Sequence, residues 1–333
     1  MLLFSLALVF ASDFDDAKAV MFVRRPTKLF KVECNGVIDV AITDEGGKVA
    51  VADLDSLTIY KLPAGDKIMS RKLSLTPPVT CIAISTDGEH IATGHENGDI
   101  ILYEQKRSFR AATLVGHRQE LTEIWFSPDG RQLFSYDFKC FKIWDVGRRS
   151  CVLSIAAHSL YLSTCRVSLD GKYLFSVGMD NVYSSGTFKI WNLHDAKVIR
   201  EIPDISRITQ VAYIDKAKAV ILAGIDGDVS LTKIYDKVLA SIGSFTYPEQ
   251  VIVGSSNPRA PNVFAFPSRN SFLIWDKGTR IFEGSLADKT KTTYNLICPE
   301  TGFLRFSRNG DIVAVAHQRS VSFFALRTSA SVP

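Results

Sequence analysis

Six histidines stand at positions 90, 95, 117, 158, 194 and 317. Histidine is the side chain best suited to proton transfer or metal binding near neutral pH. Here they are scattered. His90 and His95 lie five residues apart across a strand and its turn, so they could meet a metal. Solvent-exposed turn residues are the stronger reading. Asp44, Asp87, Asp129 and Asp170 form an acidic series when written out, yet each is expected to serve its own hairpin turn. The six cysteines, at 34, 81, 140, 151, 165 and 298, contain no Cys-x-x-Cys pair and no zinc-ligand spacing. Most sit beside apolar neighbours, which suits buried free thiols in a reducing compartment. No Gly-rich phosphate loop, no Gly-x-Ser-x-Gly elbow and no His-Glu-x-x-His helix occurs. No catalytic residue, metal ligand or cofactor is assigned, and a protein that is not an enzyme is expected.

The chain has 333 residues, 46% hydrophobic and 22% charged, a composition able to bury a core. Its net charge of +4 is too mild to mark a nucleic-acid binder by itself. Aromatic content of 11% favours strands. The sequence lacks an Asn-x-Ser/Thr acceptor, which leans against secretion from a eukaryotic cell.

The elements that must position these residues follow a repeat. Turn signals recur at Asp44, Asp87, Asp129, Asp170, Asp215, Asn257 and Asn309, in steps of 43, 42, 41, 45, 42 and 52 residues. A short apolar strand precedes each marker, as in Val79-Thr80-Cys81-Ile82-Ala83-Ile84 and Leu121-Thr122-Glu123-Ile124-Trp125-Phe126. A second strand follows, then a third with an aromatic near its end, such as Phe141-Lys142-Ile143-Trp144-Asp145 or Phe272-Leu273-Ile274-Trp275-Asp276. A looser fourth strand closes each unit. No long helical period interrupts them, so an all-β chain is expected. A period of about 40–45 residues points to a four-stranded propeller blade.

This pattern resembles the WD-repeat family of β-propellers, from about Gly36 to Leu326. The strongest marks are Trp144-Asp145, Trp275-Asp276, Trp191-Asn192 and the single Gly116-His117. The resemblance implies a seven-bladed β-propeller of four-stranded antiparallel blades, with eight blades as the alternative. It also implies a hydrogen-bonded set of His117, Ser135, Asp137 and Trp144 in one blade, although Asp137 is one residue further from the tryptophan than the family pattern has it. Other blades put Tyr or Phe at the tryptophan position and lack the histidine, which reads as degenerate repeats held by packing.

The propeller is assigned to residues 26–333. Its last blade supplies three strands, and Lys28–Cys34 is expected to add the fourth, since an unpaired edge exposes a row of backbone groups. Residues 1–25 are a surplus segment with two open readings. Met1–Ser12 has the apolar run and small-residue cleavage site of a signal peptide, without a positive start. The stretch from Phe10 to Arg25 also aligns with Phe134 to Val146, which would make it part of a blade. The apolar run is too short to span a bilayer as a helix.

Two features could carry binding. Turns after third strands are basic: Arg24, Arg25, Lys106, Arg107, Arg148, Arg149, Lys277 and Arg280, a rim that could attract RNA or anionic lipid. His117, Arg118, Glu120, Tyr161, Tyr247 and Tyr294 lie at or near entries to first strands, where a propeller exposes partner-binding loops. Residues 287–293 are the best candidate for an added binding loop. The expected function is a non-catalytic scaffold for protein–protein contacts, a monomer within a hetero-complex, in the cytoplasm or nucleus. The alternatives are a secreted or lumenal propeller binding a small ligand in its channel and an RNA-associated subunit of a larger particle.

Overall fold

The structure is a computed structural model. It describes residues 21–24, 26–44, 46–73, 77–107, 110–183, 186–203, 205, 208–214, 219–224, 228–233, 251–252, 262–266, 271–275, 280–285, 291–295 and 302–326. Strands dominate, with a single 3-10 turn at Gln105–Arg107 among the described residues. In chain order the strands are β1 (Met21–Arg24), β2 (Thr27–Glu33), β3 (Val37–Ile42), β4 (Lys48–Asp53), β5 (Ser56–Lys61) and β6 (Asp66–Lys72). Then come β7 (Val79–Ile84), β8 (His90–His95), β9 (Ile100–Glu104), β10 (Arg110–Leu114), β11 (Leu121–Phe126), β12 (Gln132–Asp137), β13 (Cys140–Asp145) and β14 (Ser150–Ala156). The next are β15 (Tyr161–Val167), β16 (Tyr173–Met179), β17 (Thr187–Asn192), β18 (Lys197–Pro203), β19 (Ile208–Ile214), β20 (Ala219–Gly224), β21 (Asp228–Lys233) and β22 (Val251–Ile252). The last are β23 (Asn262–Phe266), β24 (Ser271–Trp275), β25 (Arg280–Ser285), β26 (Lys291–Asn295), β27 (Phe303–Phe306), β28 (Ile312–Ala316) and β29 (Ser320–Ala325).

These strands form seven sheets, six of them four-stranded. The chain divides into two compact units: Pro26–Leu162 with Cys298–Pro333, and Met1–Arg25 with Ser163–Ile297. The first unit contains the sheets β3–β6, β7–β10 and β11–β14, plus a sheet ordered β2-β29-β28-β27. In the last, β2 lies antiparallel to β29, with Thr27 opposite Ala325 and Glu33 opposite Ser320. β2 thus supplies the missing fourth strand, as expected from the edge-pairing argument.

The second unit contains the sheets β15–β18, β19–β22 and β23–β26, the last extended by β1. Here two expectations need correction. Val251–Ile252, expected in the first strand of the unit marked by Asn257, instead pairs with β21. The Phe272–Trp275 segment is then second in its sheet rather than third. Residues 291–293 of the proposed binding loop form part of β26, which pairs with β25. Its other edge takes β1 in parallel, so Met21–Arg24 is a strand; residues 1–20 lie outside the described residues.

Local sequence explains the hairpins. The Ser127 hydroxyl donates to Asp129 at 2.6 Å and accepts the Gln132 N–H at 2.9 Å, while Gly130 sits at φ 69°. That set holds the chain in a reversal that only a residue without a Cβ adopts freely. The Ser127 hydroxyl and the Arg131 N–H hold the Asp129 carboxyl below its ordinary value. Ser85 with Asp87, Ser168 with Asp170 and Ser307 with Asn309 repeat the arrangement. Asp44 departs from it, because Thr43 caps that turn and Asp44 reaches outward instead.

Core formation follows from the strand period. Inward residues of adjacent sheets interleave: Ile100, Leu102 and Leu114 meet Leu121, Leu133 and Trp144 in one cluster. Ala50, Leu57 and Ile59 meet Val79, Ile82 and Ile91 in another. In the second unit Phe175 stacks on Tyr213 at 4.5 Å between ring centres. Within each unit burial is shared between successive sheets rather than gathered in one centre.

Candidate functional site

The end of β12 organises the richest site. The Trp144 indole N–H donates to Ser135 Oγ at 2.8 Å. The Ser135 hydroxyl lies 2.7 Å from His117 Nε2, and His117 Nδ1 lies 2.8 Å from Asp137 Oδ2. One proton assignment satisfies every atom: Trp144 donates to Ser135, Ser135 to Nε2, and Nδ1–H to an ionised Asp137. That requires a neutral imidazole. Burial is the main influence lowering the His117 pKa; Asp137 pulls the other way, and Lys142 adds to the depression. For Asp137, burial opposes the charge, but His117 and the N–H groups of Lys139 and Cys140 outweigh it and hold the carboxyl below its usual range. The expected set of four therefore forms, and the extra residue at Asp137 does not prevent it.

Asp137 Oδ1 also accepts the Lys139 and Cys140 N–H groups at 2.7 and 2.6 Å, fixing the turn between β12 and β13. This fixed turn thrusts Phe138 outward, where it is 58% exposed. Two neighbouring loops are bonded to the same turn. His117 anchors residues 115–120. On the other side, Leu162 N–H donates to the Phe138 carbonyl at 2.8 Å and Lys139 Nζ to the Ser159 carbonyl at 3.4 Å. Gly98, at φ 87°, lets the β8–β9 turn press on the 115–120 loop, since a Cβ there would lie 2.8 Å from the His117 carbonyl oxygen. The Phe138 and Tyr161 rings meet at 6.0 Å. Val115, 72% exposed, lies in the 115–120 loop, and Leu160, also exposed, directly precedes Tyr161.

The opposite ends of the first unit's sheets are knitted by charge. Arg149 pairs with Glu104, and Glu89 faces Lys48 at 3.6 Å and Lys106 at 3.7 Å. Asp44 accepts from Arg308 at 2.9 Å. The Thr86 hydroxyl stands 2.9 Å from both Asp44 and the Pro128 carbonyl, so its single proton serves two acceptors in adjacent sheets. Deeper in, Asp39 accepts N–H groups of Val40 at 2.8 Å and Ile82 at 3.0 Å, and Arg305 approaches at 2.9 Å. Burial raises the Asp39 pKa above the ordinary value, with Arg305 the chief opposing influence.

Comparison with known proteins agrees with this architecture. The family described as WD domain, G-beta repeat matches residues 70–104 and 149–192. The p21-activated protein kinase-interacting protein 1-like of Gallus gallus is 25% identical over 156 residues, covering 47% of this chain and 38% of its own. The Protein LST8 homolog of Drosophila melanogaster is 27% identical over 153 residues, covering 43% of this chain and 47% of its own. The chain thus spans less than half the length of these curated relatives. A solved structure described as that of U3-55K superposes with a TM-score of 0.66 at 17% identity, covering 90% of this chain and 100% of the other. The chain carries WD repeats at residues 70–104 and 149–192.

Its WD repeats keep different fragments of the four-residue set. In β15–β18, the Trp191 indole N–H donates to Ser176 Oγ at 2.9 Å. In β7–β10 a histidine occupies the aspartate position. His95 is buried, 2.9 Å from both Thr93 Oγ1 and the Pro77 carbonyl, so the reading of His95 as an exposed turn residue was wrong. In β3–β6 only the turn cap survives, with Asp53 accepting from the N–H groups of Asp55 and Ser56. The expectation that Asp44 serves its own turn is likewise replaced by its tie to Arg308 and Thr86.

Among the site residues expected from sequence, Arg118 and Glu120 are exposed and Tyr161 is half-buried beside Phe138. His117 is a buried strut of its WD repeat, with both ring nitrogens occupied, so its side chain is not available to a partner. Tyr294 and Arg280 lie in β26 and β25 and Arg24 in β1; Tyr247, Arg25 and Lys277 lie outside the described residues. In the basic rim, Arg107 closes the 3-10 turn, Arg148 faces Asp145 at 4.0 Å, and Lys106 and Arg149 have acidic neighbours. The rim is thus less available to an anion than a count of its cations implies. Phe138 was missed. Its signal was present: an apolar residue directly after a turn-capping aspartate must sit at the tip.

Among the described residues no cluster of three His, Cys, Asp or Glu side chains could hold a metal. No helix of the described residues is long and apolar enough to cross a membrane. Burial raises the thiol of Cys34 to about 11 and pushes that of Cys81 higher still. Cys140 is also raised, chiefly by burial.

Proposed function

We propose that this chain is a non-catalytic interaction platform within a multiprotein complex, engaging other proteins through the loops around Phe138. One observation carries the reading. In the first unit, four of the six exposed large apolar residues, Leu54, Val115, Phe138 and Leu160, lie in turns and loops at the Phe138 end of the sheets, while Ile68 and Val152 lie in β6 and β14. The other end holds its charges in internal pairs. Apolar surface raised on rigid loops costs stability in water and is repaid by contact with a partner. WD-repeat relatives include proteins named as interacting factors, among them the p21-activated protein kinase-interacting protein 1-like, and that supports a role in assembly. Free thiols at Cys34, Cys81, Cys140, Cys151 and Cys165 suit a reducing compartment, which favours the cytoplasm or nucleus.

The test is quantitative affinity purification of carboxy-terminally tagged protein from its native cells. The expected result is a reproducible set of proteins at near-equal amounts. Recovery of the chain alone, under conditions that preserve known complexes of the same cells, overturns the platform.

A further inference from the structure

The aromatic surface around Phe138 has an electrostatic character of its own. Arg118 is exposed and makes no hydrogen bond or ion pair among the described residues. Lys139 is exposed beside Phe138, its amine reaching the Ser159 carbonyl only at 3.4 Å. Lys142 donates to Ser154 at 2.7 Å. All three cations act on the Cys140 thiol, so they converge within electrostatic reach of one point under the turn. Against them stand Glu120, exposed, Asp137, buried and already engaged with His117, and Glu96 and Asp99 in the β8–β9 turn that meets the 115–120 loop. Arg118 and Lys139 nevertheless remain exposed cations with no carboxylate partner among the described residues, so positive charge is available beside the apolar patch.

From this juxtaposition we infer that the surface made by Val115, Phe138, Leu160 and Tyr161, flanked by Arg118 and Lys139, binds an acidic peptide segment carrying an apolar or aromatic side chain. The proposal rests on the platform reading and adds the partner's chemistry. The apolar side chain covers Phe138 and the adjoining Tyr161 ring, removing exposed hydrocarbon from water. Carboxylates on either side face Arg118 and Lys139, where bidentate pairing with the guanidinium adds orientation. The loops are already bonded in place by the His117–Asp137, Leu162–Phe138 and Lys139–Ser159 contacts, so little ordering is required on binding. Single-stranded RNA could also use cations and aromatic rings. It is disfavoured because Val115 and Leu160 are aliphatic and offer no ring for a base to stack on, and Glu120 is exposed on the same loop as Arg118.

The probe is a fluorescein-labelled peptide of about twelve residues, rich in Asp and Glu with a central Leu-x-x-Phe, measured by anisotropy against the full chain. Its controls are the same peptide with Lys for each acid, the acidic peptide with Ser for Leu and Phe, and an oligouridine of equal length. The acidic apolar peptide should bind, weaken as salt rises, and exceed each control at least tenfold, a step of about 1.4 kcal/mol. Phe138→Ala and Arg118→Glu should each weaken it by about tenfold or more, as truncation of an interface anchor does. Both side chains are exposed, so the melting temperature should stay at the wild-type value. No binding, binding unaffected by either substitution, or binding of the oligouridine alone overturns the proposal. Recovery of cellular partners by the Phe138→Ala/Arg118→Glu protein separates the two ideas. Undiminished recovery rejects this surface and leaves the platform standing, whereas no recovery by wild type rejects both.

Discussion

Replacing Asp137 by alanine should remove far more stability than its place in a surface turn suggests. The carboxylate accepts from His117 Nδ1 at 2.8 Å and from two backbone N–H groups at 2.7 and 2.6 Å. The turn amides can regain water, so their loss costs about 0.5–1 kcal/mol each. The imidazole cannot: its side chain is fully buried, and a buried donor without a partner costs about 1–3 kcal/mol. Together these give about 2–5 kcal/mol. Asp53 provides the internal comparison. It caps the β4–β5 turn in the same manner, accepting from Asp55 and Ser56, but has no buried histidine. Asp53→Ala should therefore cost about 1–2 kcal/mol, and the difference isolates the contribution of the imidazole. The assay is urea unfolding at neutral pH followed by tryptophan fluorescence. Hydrogen exchange at the Cys140 and Ser56 amides should accompany it, because repeat arrays need not unfold as one unit. Equal losses for the two variants, or a loss below about 0.5 kcal/mol for Asp137→Ala, would refute the claim that the histidine is held by this carboxylate.

Two further predictions concern buried charge. The folded His117 has a pKa below its ordinary value of 6.5, so the unfolded chain takes up a proton first as pH falls. Its contribution is full above that value and is lost on acidification through it; a second loss, from the depressed Asp137, belongs below its ordinary value of 3.8. Urea midpoints should drop between pH 7.5 and 5.5 in wild type, and His117→Gln should flatten that limb. Arg305→Met should destabilise the protein by about 2 kcal/mol or more, since it strips Asp39 of its counter-charge in a buried site. Because the folded Asp39 pKa is raised, the penalty belongs to the ionised form and should shrink between pH 7 and 4.5; thermal melts of both proteins at both values would test it.

What could be read from the sequence was local and periodic. Gly88, Gly130, Gly171 and Gly310 all adopt positive φ in reversals whose serine and Asp or Asn stand within five residues, so spacing alone revealed the hairpins. The pairing of β2 with β29 was also accessible, from the cost of an open edge at a known strand count. Contacts between repeats were not. Asp44 looked like any other turn acid, and only the fold brings it to Arg308, 264 positions away along the chain. Asp39 and Arg305 are likewise distant in sequence. Nothing in either local stretch says that a carboxylate on one first strand will bind the backbone of the next and a guanidinium from another.

The ends of the second strands connect these limits to function. Asp53, His95 and Asp137 occupy the same structural position, yet Asp53 and Asp137 accept N–H groups of their own turns whereas His95 reaches the Pro77 carbonyl. Asp53 and Asp137 thus hold their turns from the strand end, while the turn after His95 is held from its tip, where Asn97 accepts the Asp99 N–H at 3.1 Å. Where the strand end does the holding, the tip is released from capping the turn: it is Leu54 in one sheet and Phe138 in another. Surface chemistry is thereby decoupled from folding. A repeat so held can exchange its outward side chain at little cost to stability, which is the physical condition for one scaffold to present an apolar and cationic surface at Phe138.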